Sequence, residues 1–488
     1  MTDQLLVLLV AAPLLASTLP LFVAVRSRRL ARWLVLAVLV GQVALAVALA
    51  WLVSATGPVS SVVGAIPASF GIGLFADRVT AALALLVAAG ALAASLTDDR
   101  HRSGPEYALW LLLVAGLSGV VVTADVFNLY VFLEISGLAA YALVASARGV
   151  EPALAALQYL LVGTVGATLY LLGVGYAFVA TGTLSMADLS VALAAAGHDS
   201  TLVVAAFALM TVGLSVKLAL FPLHAWKPDA YAAATPAVAT VLAALGSTVA
   251  GYALVRIVYD VFTAAFFDAV PAMQTLLLAA AATSVVAGGV LALRTSDARR
   301  LLAYSSVSQY GLFGVGLAMA TPTSVTGALV VLVGHAVAKG GLFVAAGDAA
   351  RRHGATAVED YAGLADRDPL TAAAVAVLGV SLVGLPPTVG FAGKWSLALG
   401  AIAAGSWVVA TVVLASTLLA LAYVGRLVER CYLGSADAVS PGGVRADGGV
   451  PASASVVVLV AAAALVVALG LGSSALAAWF APVVEGWL

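Results

Sequence analysis

Four lysines stand apart from every other cation in this chain. Of the 22 basic side chains eighteen are arginines, and all but Arg78 and Arg256 fall in breaks between apolar runs. Those two lie near run ends, where a long side chain snorkels to the polar boundary. The lysines do the reverse: Lys217 and Lys339 lie inside apolar runs, and Lys227 and Lys394 follow breaks at Pro222 and Pro386-Pro387. An amine can release its proton when its surroundings disfavour charge, whereas a guanidinium stays charged. Arginine at the boundary and lysine in the interior therefore reads as sorting by capacity to exchange protons. The plainer alternative is that each lysine caps a helix-terminal carbonyl, and for Lys227 that reading is the stronger.

Glu134, in Val131-Phe-Leu-Glu-Ile-Ser-Gly, is the matching acid, a carboxylate well inside an apolar span. Beside a lysine it stays ionised, and separation of the two favours release of the lysine's proton. A register-fixing ion pair is the alternative. His335 and Lys339 are spaced i, i+4 and share one helix face. Histidine titrates nearest neutrality and suits a relay between stronger bases. His224, beside Pro222, is balanced between structural and relay roles; His101, His198 and His353 read as loop residues.

The elements that position these groups must cross a bilayer. Of 488 residues 63% are hydrophobic and 9% charged, too few charges to cover a soluble surface of this size. Apolar runs, each long enough for ~30 Å of hydrocarbon, recur throughout. We expect spans at 5–25, 33–53, 78–97, 107–124, 127–147, 153–180, 201–221, 236–260, 273–293, 299–320, 323–346, 369–404, 406–428 and 453–480. The first lacks the basic start of a signal peptide and reads as a retained helix. The stretch 369–404 reads as one helix broken at Pro386-Pro387, and a similar break follows the seventh span at Pro222. Proline frees backbone groups that must face protein or water, and broken helices at membrane depth are a transporter feature.

Basic residues fall in alternate loops, whereas 54–77, 181–200 and 261–272 contain neither lysine nor arginine. Positive loops stay cytoplasmic, so fourteen crossings place the Arg-rich side in the cytoplasm and both termini outside. The segment 431–451 reads as a flexible cytoplasmic loop. The single Cys431 excludes an intrachain disulfide. Scattered histidines argue against a metal centre. No phosphate-binding loop or cofactor fingerprint is present, and the net charge of −1 gives no support for nucleic acid binding.

Six segments in order resemble the antiporter-like subunits shared by Mrp-type cation/proton antiporters and respiratory complex I. They are Phe70-Gly-Ile, Phe127 to Glu134, Lys217 to Asp229, Leu301 to Gln309, the His335/Lys339 helix, and Gly384 to Lys394. The resemblance runs from about 65 to 430, and Ile66 to Asp77 with the chain length is most similar to the Mrp D-type subunit. The resemblance implies an all-α fold of about fourteen helices with two inverted five-helix repeats and broken seventh and twelfth helices. Its divisions are 1–106 (helices 1–3), 107–260 (first repeat), 261–430 (second repeat) and 431–488 (loop and helix 14). It assigns Glu134 and Lys217 as a gating pair, His335 and Lys339 as central relay and Lys394 as terminal exchange site; His224, Lys227, Ser247 and Thr248 are candidate accessories from their own positions near the break and on the eighth helix.

One position departs from the pattern. The family commonly carries a lysine or histidine on the eighth helix, four residues before the tyrosine of Tyr252-Ala-Leu-Val-Arg256; here that residue is Thr248, next to Ser247. A hydroxyl orients water but stores no proton near neutral pH. The resemblance implies a proton-translocating subunit of a multi-subunit Na⁺/H⁺ antiporter in a prokaryotic plasma membrane, without cofactor. Its partners are other integral membrane subunits, protons and sodium. The alternatives are a proton-pumping subunit of a redox-driven complex, in which case the chain is part of an NADH:quinone oxidoreductase or membrane hydrogenase, and a non-conducting scaffold, which Thr248 favours.

Overall fold

Helices dominate because the bilayer offers the backbone no hydrogen-bonding partner and each helix satisfies its own. The computed structural model describes residues 2–63, 72–98, 102–434 and 453–488. Twelve helices among them are long and apolar enough to cross a membrane. Two more crossings are Ala298–Ala318, which opens on Arg299 and Arg300, and the broken pair Pro369–Val383 and Val389–Ala403. Twelve and two make the fourteen expected.

Starts are set by short polar side chains. Asp77, Ser103, Asp125, Asp297, Thr321 and Asp368 each accept from a backbone N–H of the first turn that follows, which satisfies a donor otherwise left without an intrahelical partner. Two of these starts match across the chain: Asp125 bridges to Ser185, and Asp297 to Ala357.

Pro236–Phe262 and Pro322–His353 form the axis, with 94% and 89% of their most apolar stretch buried, against 33% for Arg28–Thr56 and 17% for Ala454–Leu471. Peripheral helices turn Phe22, Trp51, Leu154, Val179 and Val408 outward, as lipid-facing surfaces do. Between helices small residues set the spacing. A Cβ on Gly213 would lie 2.5 Å from the carbonyl oxygen of Gly166, so Thr201–Leu218 and Val150–Thr181 meet backbone to backbone.

Several expectations are corrected. The expected loop 54–77 carries an antiparallel strand pair, Val59–Val63 with Ile72–Ala76, and the loop 181–200 contains the helix Met186–Ala196. The single span at 453–480 is two helices, Ser453–Leu471 and Ser473–Trp487. His353 closes the helix Pro322–His353 rather than sitting in a loop. Most of 431–451, the start of the Ile66-Asp77 motif with Phe70, and His101 lie outside the described residues.

Arg256 does not snorkel. Its guanidinium is 4% exposed and lies 2.7 Å from both Asp77 and Asp260. It also donates to Thr80 Oγ1 at 2.7 Å and to the Tyr252 hydroxyl at 2.9 Å. Tyr252 in turn donates to the carbonyl of Val121. Five donors in a planar fork fit this site as an ammonium would not. The cluster joins the ends of three membrane helices, and Trp487 completes it by donating to Asp260.

Candidate functional site

The broken elements place lysines because a helix end in hydrocarbon needs donors for its last carbonyls. Thr201–Leu218 stops at Ala219, whose φ of +62° is left-handed. The three carbonyls before it each have a side-chain donor: the Trp226 indole for Val216 (3.0 Å), the Ser247 hydroxyl for Lys217 (3.1 Å) and the Lys227 ammonium for Leu218 (2.8 Å). The second break repeats the device. Lys394 Nζ donates to Val383 O at 3.0 Å, and Gln309 approaches Leu382 O at 3.4 Å. Lys227 and Lys394 therefore both cap carbonyls, as the plainer reading required.

Lys217 is not mid-helix but in the last turn before the break. Its Nζ lies 3.1 Å from Glu134 Oε1 and 3.0 Å from the Tyr141 hydroxyl. Among the described residues it is the one lysine ion-paired with a carboxylate. A cavity of about 30 Å³ adjoins it, lined by Ser136, Tyr159, Gly246 and Lys217 among others. A water requires ~10–15 Å³ of such space, so this pocket has room for about two.

Tyr141 escaped sequence reasoning, although it lies two turns beyond Glu134 on the same face. It packs edge-on against Tyr159, which stacks on Trp226 at 4.1 Å. Its position depends on Gly163, where a Cβ would fall 2.0 Å from the Tyr141 hydroxyl. Gly163→Ala is therefore expected to push the phenol off Lys217. Transport by the assembled complex should fall about tenfold, roughly one charge-assisted hydrogen bond's worth; unchanged transport would show Tyr141 to be a bystander.

A second cluster gathers around Tyr310, which sequence reasoning also passed over because it lies one residue beyond the Leu301–Gln309 motif. Thr248 Oγ1 donates to Ala244 O at 2.7 Å and lies 2.9 Å from the Tyr310 hydroxyl. The His335 ring packs edge-on against Tyr310, with centroids 4.9 Å apart, and Lys227 Nζ is 4.5 Å from the Tyr310 ring centre. Lys339, fully buried, donates to Leu302 O at 2.7 Å and to Ser305 Oγ. Both ring nitrogens of His335 are buried without a protein partner among the described residues. His335 borders a cavity of about 10 Å³ shared with Gln309, Ser381, Leu382 and Gly390; the next residue after Leu382 is Val383, whose carbonyl Lys394 caps. His224 lies apart, half-buried and stacked on Phe221.

The residues thus form three groups along the axis: Glu134 with Lys217; Lys227, Thr248, Tyr310, His335 and Lys339; and Lys394. Small cavities, each lined partly by polar side chains, adjoin the first group and the His335 side of the second. Among the described residues no three His, Cys, Asp or Glu side chains converge as a metal site would need.

Comparison with known proteins supports one family. Residues 123–420 match the family model described as NADH:quinone oxidoreductase/Mrp antiporter, TM. A relative in Desulforudis audaxviator, the N-type subunit of an NADH-quinone oxidoreductase, is 42% identical over 91% of this chain and 90% of its own length. The D-type subunit of the Na(+)/H(+) antiporter of Bacillus subtilis is 31% identical over 86% of this chain and 83% of its own. In the solved structure of the Mrp complex from a Dietzia species, one chain superposes with a TM-score of 0.89 at 27% identity, covering 100% of this chain and 97% of that one. Such neighbours belong to multi-subunit membrane assemblies, and this chain fits one with other membrane subunits as partners. The match over 123–420 spans both broken elements and every lysine, and it makes the chain a member of the NADH:quinone oxidoreductase/Mrp antiporter transmembrane family, an antiporter-like multi-pass membrane subunit.

Proposed function

We propose that this subunit translocates protons along Glu134, Lys217, Lys339 with His335, and Lys394, within a multi-subunit monovalent cation/proton antiporter. The observation that carries the reading is the Glu134–Lys217 pair, 3.1 Å apart at the break of a membrane helix. A charge in hydrocarbon is unfavourable by ~2.5–3.5 kcal/mol on insertion scales, which makes an intramembrane ion pair costly to keep without a use. When the pair opens, the lysine loses the carboxylate that favours its charged form and passes its proton inward. Sodium is the cation we assign, and partner subunits carry it. The Arg-rich loops face the cytoplasm, both termini lie outside, and the repeats run over 107–260 and 261–430.

The likeness to the Mrp complex over the whole chain supports the antiporter reading. The 42% identity to a quinone oxidoreductase subunit favours a second, in which electron transfer drives the same route. One experiment separates them. The native complex is purified into vesicles and given either a sodium gradient or a reduced electron donor, with internal pH followed by a dye. Sodium-dependent proton movement, lost in Lys217→Ala, is the expected result. Movement with the electron donor alone transfers the assignment to the redox complex; wild-type movement in Lys217→Ala rejects proton carriage by this chain.

A further inference from the structure

Lys227 has more charge than its visible task requires. It is fully buried and donates to Leu218 O, yet the two preceding carbonyls are capped by neutral groups, the Trp226 indole and the Ser247 hydroxyl. A neutral donor evidently suffices at this helix end. A buried ammonium without a carboxylate is unfavourable, and among the described residues Lys227 has none within ion-pair distance. Its amine instead lies 4.5 Å from the ring centre of Tyr310, whose hydroxyl meets Thr248 and whose ring packs on His335. Lys339 and His335 both lie within its electrostatic reach.

Thr248 itself is committed. Its proton goes to Ala244 O, which leaves its oxygen free only to accept from Tyr310. The eighth helix thus presents a hydroxyl where a base is wanted, next to the π-helical turn Leu242–Gly246 that loosens its backbone. From the neighbouring broken element Lys227 reaches the ring of the same Tyr310 whose hydroxyl meets Thr248.

We propose that Lys227 is the central proton carrier of this chain, replacing from the seventh element the base that the eighth helix lacks. The inference rests on the proposed proton route. In the step it adds, the Lys227 ammonium gives one proton to a neutral Lys339 or His335 and remains as a neutral amine. It then recovers a proton arriving from Lys217. Tyr310 is a positioning residue, holding the amine over its ring and the hydroxyl of Thr248 in line.

The test uses the assembled complex in vesicles with the same pH dye. Lys227→Gln keeps a neutral donor for Leu218 O and is expected to lose at least tenfold in proton movement while the complex stays intact. Adding Thr248→Lys to that variant restores a base on the eighth helix, and recovery of at least a third of wild-type movement is expected. Lys227→Arg keeps charge and donor but releases no proton, so it should be as inactive as Lys227→Gln; it also covers the case in which the glutamine variant does not assemble. Wild-type movement in Lys227→Gln or Lys227→Arg overturns the proposal, as does an intact but inactive Lys227→Gln that Thr248→Lys leaves unrescued. Lys217→Ala runs alongside: if it too is active, the proton route fails as a whole, and if it is dead while Lys227→Arg is active, only Lys227 loses its role.

Discussion

Glu134→Gln is expected to reduce proton movement by about 10²-fold, the scale on which a positioned proton-transfer group contributes. The glutamine keeps the shape and an acceptor for Lys217, so the loss isolates the negative charge that the proposed route uses to switch the lysine between holding and releasing its proton. The two residues also depend on each other for stability. Removing one partner of a buried ion pair destabilises by ~3–5 kcal/mol, because the other charge is left without compensation. With side-chain exposures of 10% for Lys217 and 19% for Glu134, the lower end of that range applies. Glu134→Gln should therefore lower the yield of assembled complex, and adding Lys217→Met should recover the yield without recovering transport. The cycle is read by detergent size-exclusion chromatography and by vesicle assay. Wild-type proton movement in Glu134→Gln contradicts the gating role, and equal yields in the single and double variants contradict the energetic coupling.

The second large effect lies away from the proton route. Arg256→Met should leave the buried Asp77 and the partly exposed Asp260 without their cation and free the hydroxyls of Thr80 and Tyr252. With two acids on one guanidinium but Asp260 27% exposed, the middle of the ~3–5 kcal/mol range applies. The consequence is loss of tertiary packing where Arg78–Leu96, Gly104–Val122 and Pro236–Phe262 meet, and release of the C-terminal helix whose Trp487 bonds Asp260. Arg256→Lys should be intermediate, since an ammonium cannot reach both acids in the fork geometry. Replacing all three as Asp77→Asn, Arg256→Met and Asp260→Asn should recover part of the loss, because no charge is then stranded. The measurement is the fraction of complex surviving a heating series in detergent. An Arg256→Met complex as heat-resistant as wild type would show the cluster to be dispensable.

How much of this was legible beforehand follows from the range over which each interaction acts. The crossings were, since hydrophobicity over about twenty consecutive residues decides membrane insertion and needs no knowledge of neighbours. So were the two breaks, because proline disrupts a helix locally, and the oddity of the lysines, because charge inside an apolar run is visible in one dimension. The local reading failed where segments too short to cross the bilayer carry structure of their own, as in Met186–Ala196 and the strand pair Val59–Val63 with Ile72–Ala76.

Tertiary structure decided which charges meet. Glu134 and Lys217 are 83 residues apart, Thr248 and Tyr310 are 62 apart, and Arg256 and Asp77 are 179 apart. No periodicity or hydropathy links such positions. Arg256 and Lys227 show the consequence most clearly: the one looked like a snorkelling end residue and is a buried clasp, and the other caps a carbonyl as expected but also lies over the ring of Tyr310, 83 residues away. Side chains of a membrane protein pair across helices only after the helices have packed, so the sequence specifies which groups must be hidden from lipid, and the fold alone chooses their partners.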